Sequence, residues 1–350
     1  MMHPGTSSTI NVGVIGCGYW GPNLIRNFHE IPGARVPVVA DLREDRLAHI
    51  KTMYPEVAIT SDYRELLSPS VDAVIVATGV SSHYELARAC LLHGKHVLVE
   101  KPLTTRSREA AELVELAERQ SRILMVGHTF EYNPAVELLR DLVQSGEIGD
   151  VYYVNASRLN LGIFQKDINV VWDLAPHDIS ILLYVLGRQP MSVSARGSHF
   201  VQPGIHDVAY LTLHFPDHIF AHVHVSWLDP CKMRRITVVG SKKMVVYDDV
   251  ESLEKIRIYD KGVNVLPHTD TFGDFQLSYR YGDISVPYIP LTEPLKIECT
   301  HFVECIREGK RPRSDGVAGF NVVRILEVAE KSLLNGGMAE LLNGHARVEL

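Results

Sequence analysis

The residues able to do chemistry fall into three clusters. The first is Gly16-Cys17-Gly18-Tyr19-Trp20-Gly21, a GxGxxG stretch between an apolar run and a helical pattern, with Asp41 placed 20 residues beyond Gly21. Glycines at this spacing let a backbone approach a pyrophosphate, and a helix opening at Tyr19 offers free N–H groups and the positive end of its dipole. An acid ending the next strand accepts hydrogen bonds from both ribose hydroxyls and repels a 2′-phosphate. Gly16, Gly18, Tyr19, Trp20, Gly21 and Asp41 therefore predict a dinucleotide site that favours NAD over NADP, a preference Arg43 moderates. A glycine turn with an ordinary helix cap is the bland alternative, and three features in register weigh against it.

The second cluster is Glu100-Lys101-Pro102, which follows the apolar run Val97-Leu98-Val99. A lysine at the carboxyl end of a central strand lies where open α/β sheets bind ligands. There its amine can meet a reacting hydroxyl. A solvated loop lysine fits that position equally well. The third cluster is Trp172-Asp173-Leu174-Ala175-Pro176-His177-Asp178. Residues four apart share a helix face, so Asp173 and His177 can address one ligand. From the residues alone, Asp173 reads better as a plain N-cap and His177 as a satisfied buried group, with Pro176 in the first turn.

The elements that must position these clusters alternate in residues 1–127. Strand patterns at 11–16, 35–41, 57–60, 71–78, 96–100 and 123–127 are separated by helical patterns at 19–30, 43–54, 81–93 and 107–120. This predicts an α/β, doubly wound parallel sheet of the Rossmann type. From residue 128 to 350 the rhythm changes to an α+β domain for substrate binding and oligomerisation. A helix at 133–145 and a strong helix at 173–186 flank a strand at 151–158, and strands follow at 191–197, 208–215, 219–227, 234–239 and 244–248. Strands so spaced predict a large, open, mainly antiparallel sheet. Helices at 294–308 and 316–334 close the pattern, and 260–290 reads as a long irregular arm.

Composition narrows the class. The 350 residues are 46% hydrophobic and 22% charged with net charge −7, which gives no footprint for nucleic acid or an anionic membrane. No apolar run reaches the ~18–20 residues of a membrane span. Five scattered cysteines without a CxxC pair, and no secretory pattern at the start, predict a reduced, cytoplasmic protein. No metal-ligand spacing is present; His222 and His224 share a strand face but lack further ligands.

With these motifs in place, the chain resembles the GFO/IDH/MocA oxidoreductases. The resemblance rests on the GCGYWG loop, Ala77-Thr78, His83 with its helix to Gly94, and above all Gly94-Lys95-His96-Val97-Leu98-Val99-Glu100-Lys101-Pro102. It extends through Gly146-Glu147-Ile148-Gly149, Asp173 and His177 to His301-Phe302, Pro312, Asp315-Gly316 and Gly319. Gly79 stands where the family usually has proline. The resemblance implies that Lys101, Asp173 and His177 line the active site, and that Thr78, His83, Glu100 and Lys101 join the cofactor set. His177 is then expected as acid/base, Lys101 as the group polarising the oxygen and Asp173 as the orienting carboxylate, with the Lys101 and His177 roles interchangeable on sequence alone.

The implied activity is NAD-dependent oxidation of a secondary hydroxyl, at C3, of a sugar or a nucleotide sugar such as UDP-N-acetylglucosamine. An NADPH-dependent 3-ketosugar reductase, an NAD-dependent glycoside hydrolase working through transient C3 oxidation, and a non-catalytic dinucleotide sensor are the rivals. Arg158, Trp172, Tyr279 and Arg280 are expected substrate contacts, the arginines as paired donors to phosphate oxygens. An open sheet with one face uncovered predicts a homodimer or homotetramer through the second domain.

Overall fold

The computed structural model describes residues 9–265 and 277–342. Its first stretch runs β1 (Ile10–Ile15), α1 (Gly21–Glu30), β2 (Ala34–Arg35), β3 (Val38–Ala40), α2 (Glu44–Met53), β4 (Ala58–Thr60), β5 (Ala73–Val76), α3 (His83–Leu92), β6 (His96–Glu100), α4 (Ser107–Arg119) and β7 (Leu124–Gly127). The strands are parallel in the order β4-β3-β1-β5-β6-β7, with β2 also on β1. The order reverses at β1, so the turn after β1 opens at the switch point where doubly wound sheets bind ligands. The expected second strand is two pieces, because Pro37 has no N–H to give the ladder. Strand β5 is buried on both faces, as its Ala-Val-Ile-Val run requires.

The next stretch runs α5 (Pro134–Gln144), β8 (Val151–Leu161), α6 (Val170–Leu186), β9 (Ser192–Ser198), β10 (Val208–His214), β11 (Phe220–Ser226), β12 (Leu228–Gly240), β13 (Met244–Asp248), β14 (Ile256–Val265) and β15 (Leu277–Ser285). Then come α7 (Pro294–Glu308), α8 (Gly316–Leu334) and β16 (Glu340–Leu341). The second sheet is ordered β15-β14-β13-β12-β8-β11-β10-β9-β16, antiparallel except where β8 meets β11. Its strands alternate: Ala209, Leu211, Leu213, Ala221, Val223 and Val225 are buried, whereas Tyr210 is exposed.

Two predictions are corrected. The arm expected to be irregular contains β14 and β15, paired antiparallel as a hairpin, and only its residues 266–276 lie outside the described ones. The chain also does not divide by one cut after Gly127. Among the described residues the first compact unit takes those up to Tyr132 together with 292–324, and the second takes 133–291 and 325 onward. Apolar burial explains the return: Phe302, Val303, Leu295 and Cys299 of α7 join the core of the parallel sheet with Phe28 and Leu24. Arg26–Glu293 and Lys296–Glu30 ion pairs lie beside that seam.

Candidate active site

In the first unit, the loop after β1 has the shape that close approach to a phosphate demands. Gly16 has φ +99°, and a Cβ there would lie 2.6 Å from the Ala77 carbonyl oxygen. A Cβ on Gly21 would overlap the Gly16 carbonyl. A Cβ on Gly18 would meet only the Arg46 guanidinium. Helix α1 starts at Gly21 with no side-chain cap on Trp20 and no acid in its first turn, which suits an anion at its N-terminus. Tyr19 is 83% exposed and Trp20 partly so, and their rings meet edge to face. Cys17 is buried, and burial followed by the Asp41 charge pushes its thiol up to about 12; it fills space and is no nucleophile.

Asp41 stitches this loop to the end of β3. Its Oδ2 accepts from the Cys17 N–H at 2.6 Å and its Oδ1 from the Arg43 N–H at 2.8 Å. The Arg43 side chain turns away to Asp45, while Arg46 lies 3.7 Å from Asp41. These residues fit a dinucleotide: a cradle that a Cβ would fill, a free helix start, and a carboxylate at the ribose position.

Across the switch point, His83 opens α3 and is 1% exposed. Its Nδ1 lies 2.9 Å from the Pro102 carbonyl and its Nε2 3.0 Å from the Thr78 carbonyl. The ring thus ties the loop after β5 to the cis Lys101–Pro102 turn after β6. Burial lowers its proton affinity, with Lys101 adding to the effect. Thr78 is half-buried, its hydroxyl 2.7 Å from that of Ser82. Lys101 is half-buried at the same edge. Glu100 turns inward at 8% exposure, and its Oε2 accepts from the Lys101 N–H at 3.3 Å. His83 and Glu100, expected at the cofactor surface, therefore use their polar atoms inside the protein.

In the second unit, α6 begins at Val170, earlier than the sequence predicts. Asn169 is the cap, accepting from the Val171 and Trp172 N–H groups. Asp173 is therefore not an N-cap, and Pro176 lies inside the helix rather than in its first turn. Asp173, Leu174 and His177 are half-buried and share a face, while Trp172, Ala175, Pro176 and Asp178 are buried. Trp227, at the β11–β12 junction, donates its indole N–H to Asp173 Oδ2 at 2.9 Å. That bond fixes one oxygen of the Asp173 carboxylate.

Two expected substrate contacts are overturned by burial. Arg158, on β8, is 4% exposed and donates to both oxygens of Asp178, at 2.7 and 3.2 Å. Its fork is spent on a carboxylate inside the fold rather than on a phosphate. Trp172 is 6% exposed, and its indole donates to Glu330 of α8 at 3.0 Å. Tyr279 and Arg280 stand on edge strand β15: Tyr279 is exposed, and Arg280 donates to Asp260 at 2.9 Å and to the Lys242 carbonyl. Sequence reasoning missed Asn169, Trp227 and Glu330, which set the rotation of α6. Asn169, as a cap type just before Val170-Val171-Trp172, was the one legible signal.

The comparisons agree with this geometry. The family described as "Oxidoreductase family, NAD-binding Rossmann fold" matches residues 10–128, and the GFO/IDH/MocA C-terminal domain matches 136–246. Inositol 2-dehydrogenase 2 of Saccharopolyspora erythraea is 32% identical over 62% of this chain and 66% of its own length. Myo-inositol 2-dehydrogenase of Thermotoga maritima is 26% identical over 93% of this chain and 96% of its own. UDP-N-acetylglucosamine 3-dehydrogenase of Acidithiobacillus ferrooxidans is 27% identical over 90% of this chain and 94% of its own. A solved structure of that enzyme superposes with TM-score 0.77 at 25% identity, covering 93% of this chain and 97% of the other. With both domains matched in order and the glycine loop at the switch point, the chain belongs to the GFO/IDH/MocA family and is an NAD-binding oxidoreductase.

Proposed function

We propose that this oxidoreductase oxidises a secondary ring hydroxyl, at C3, of a sugar or nucleotide sugar such as UDP-N-acetylglucosamine. The observation that carries the reading is the α6 face on which Asp173, held by Trp227, sits one turn before His177. In this reading His177 takes up the hydroxyl proton and Asp173, on the same face, orients it. Lys101, at the carboxyl end of β6, polarises the hydroxyl oxygen. NAD, when bound, supplies the hydride acceptor. Gly16, Gly18, Tyr19, Trp20 and Gly21 would hold its pyrophosphate, and Asp41 and Arg43 its adenosine ribose, with Thr78 beside them.

Incubation with NAD and a panel of nucleotide sugars, free sugars and inositols, read at 340 nm, tests the reading. NADH formation with a sugar or nucleotide sugar is expected; none with any member, or glycoside cleavage without it, overturns the reading. Asp41 argues against the NADPH-dependent reductase. Replacing Asp41 by serine is expected to weaken NAD and relieve repulsion of NADP, shifting the ratio of kcat/KM values toward NADP by about 10-fold or more, as loss of a charge-assisted bond worth ~1.5–3 kcal/mol implies.

The same footing supports two further features. The face of the second sheet opposite its buried side carries exposed Tyr210, its ring stacked 4.0 Å from His224, and Tyr153 stacked on Phe220. A homodimer or homotetramer through that face is expected, with light scattering at micromolar concentration as the measurement; a monomer there counts against it. The five cysteines are free and four are buried, which suits a reducing cytoplasm. Among the described residues no helix is long and apolar enough to cross a membrane.

A further inference from the structure

The segment that leaves β8 and leads into α6, residues 162–169, is fastened at both ends to the parts that aim Asp173. At its far end Asn169 caps α6. At its near end the Gly162 N–H donates to the Trp227 carbonyl at 2.9 Å. Trp227 is the single residue between β11 and β12, is 1% exposed, and holds Asp173 through its indole N–H. Its own backbone N–H donates to the Asp207 carbonyl at 2.9 Å, and the adjacent His206 carbonyl accepts from Val170, the first residue of α6, at 3.0 Å. The Trp227 backbone is thus pinned on both sides, and the aim of its ring depends on what packs against it.

Gly162 packs directly on that ring. A Cβ on Gly162 would lie 2.6 Å from Trp227 Cδ1, 3.1 Å from its Cγ and 3.3 Å from its Cβ. Carbon atoms settle at roughly 3.5–4.0 Å, so the indole would have to retreat by about 1 Å. Cδ1 is the ring atom bonded to Nε1, so the retreat displaces the very donor from which Asp173 accepts. The buried ring has little room to absorb it, because Phe164 of the same segment meets it edge to face, with centroids 5.6 Å apart. The φ of Gly162 lies outside the left-handed region, so no turn asks for glycine here; close approach does.

We propose that Gly162 and Trp227 are positioning residues for the reaction: Gly162 admits the indole against the segment before α6, and the indole N–H holds Asp173 in place. The segment sets the ring, the ring sets the carboxylate, and the carboxylate lies one turn before His177. That this aim matters to turnover rests on Asp173 and His177 acting as proposed above.

The test is NMR of the purified full chain carrying isotope-labelled tryptophan, read at the three indole N–H groups of Trp20, Trp172 and Trp227. Loss of one signal in Trp227→Phe identifies that of Trp227. Gly162→Ala is expected to move this signal toward its position in Asp173→Ala, where no carboxylate accepts, while the Trp172 signal, bonded to Glu330, stays. Movement of neither signal, or of both together, overturns the proposal. In turnover, Trp227→Phe and Gly162→Ala are each expected to lower kcat by about 10–100-fold, the range for losing a hydrogen bond to a charged group. The double variant is expected to fall no further than Trp227→Phe alone, since the N–H that Gly162 protects is already gone; losses that multiply overturn the proposal. Should Gly162→Ala not fold, an unchanged kcat in Trp227→Phe overturns it alone. Because the indole signals need neither cofactor nor substrate, a failure of the redox reading would appear separately, as absent NADH formation by the unaltered protein with the signal shifts intact.

Discussion

Replacing Lys101 by methionine lowers kcat by about 10²–10⁴-fold, the range set by loss of a positioned acid–base or polarising group. Methionine keeps the length and apolar stem of the side chain, so the turn that His83 anchors through the Pro102 carbonyl is retained. Cofactor affinity should change less than turnover, because the glycine loop and Asp41 follow β1 and β3 rather than β6. Titration of NADH fluorescence measures that affinity separately from turnover. His177→Asn is expected to fall within the same range, since asparagine occupies similar space and cannot take up a proton near neutral pH. On the proposed reading, in which both serve one proton transfer, the double variant should lose less than the product of the two single losses. Turnover unchanged in both single variants would place the chemistry on other residues.

How much of this could be read from the chain follows from the range of the forces involved. The parallel sheet was legible because strands buried on both faces are written as continuous apolar runs, as in Ala73–Val76, and the glycine loop because its constraint is local. The Pro37 break needed no more than the rule that proline lacks an N–H, yet the surrounding β-branched residues masked it. The start of α6 was misread because Asp173 is a good cap type, and Asn169, four residues earlier, is an equally good one. Arg158 could not have been placed from its neighbours. An arginine leaving a strand is ordinarily exposed, and only the fold brings Asp178, 20 residues on, against it. Glu298 is further still, 169 residues from the Thr129 hydroxyl that holds it, and a lone glutamate in a C-terminal helix carries no sign that it will be buried beside the end of β7.

The Arg158–Asp178 pair also supports the largest stability effect expected in the second unit. Both side chains are nearly inaccessible, at 5% and 1%, and two N–H···O bonds join them. Asp178→Ala removes the carboxylate that both N–H···O bonds reach and leaves a guanidinium, which cannot give up its proton, buried beneath the helix without the Asp178 charge. The expected cost is about 3–5 kcal/mol, or a fall in Tm of roughly 6–20 °C for a unit of this size. Replacing both partners with apolar residues of similar bulk, Arg158→Met with Asp178→Leu, should recover most of that loss, because two desolvated charges disappear together. Activity should not recover in parallel. Asp178 follows His177 directly, and its bond to β8 fixes the rotation of α6 about its axis, a constraint that apolar contact does not supply with the same angular precision. A double variant restored in Tm but still reduced in kcat would separate the two roles; restored kcat would show that Trp227 and the Asn169 cap suffice to aim Asp173 and His177.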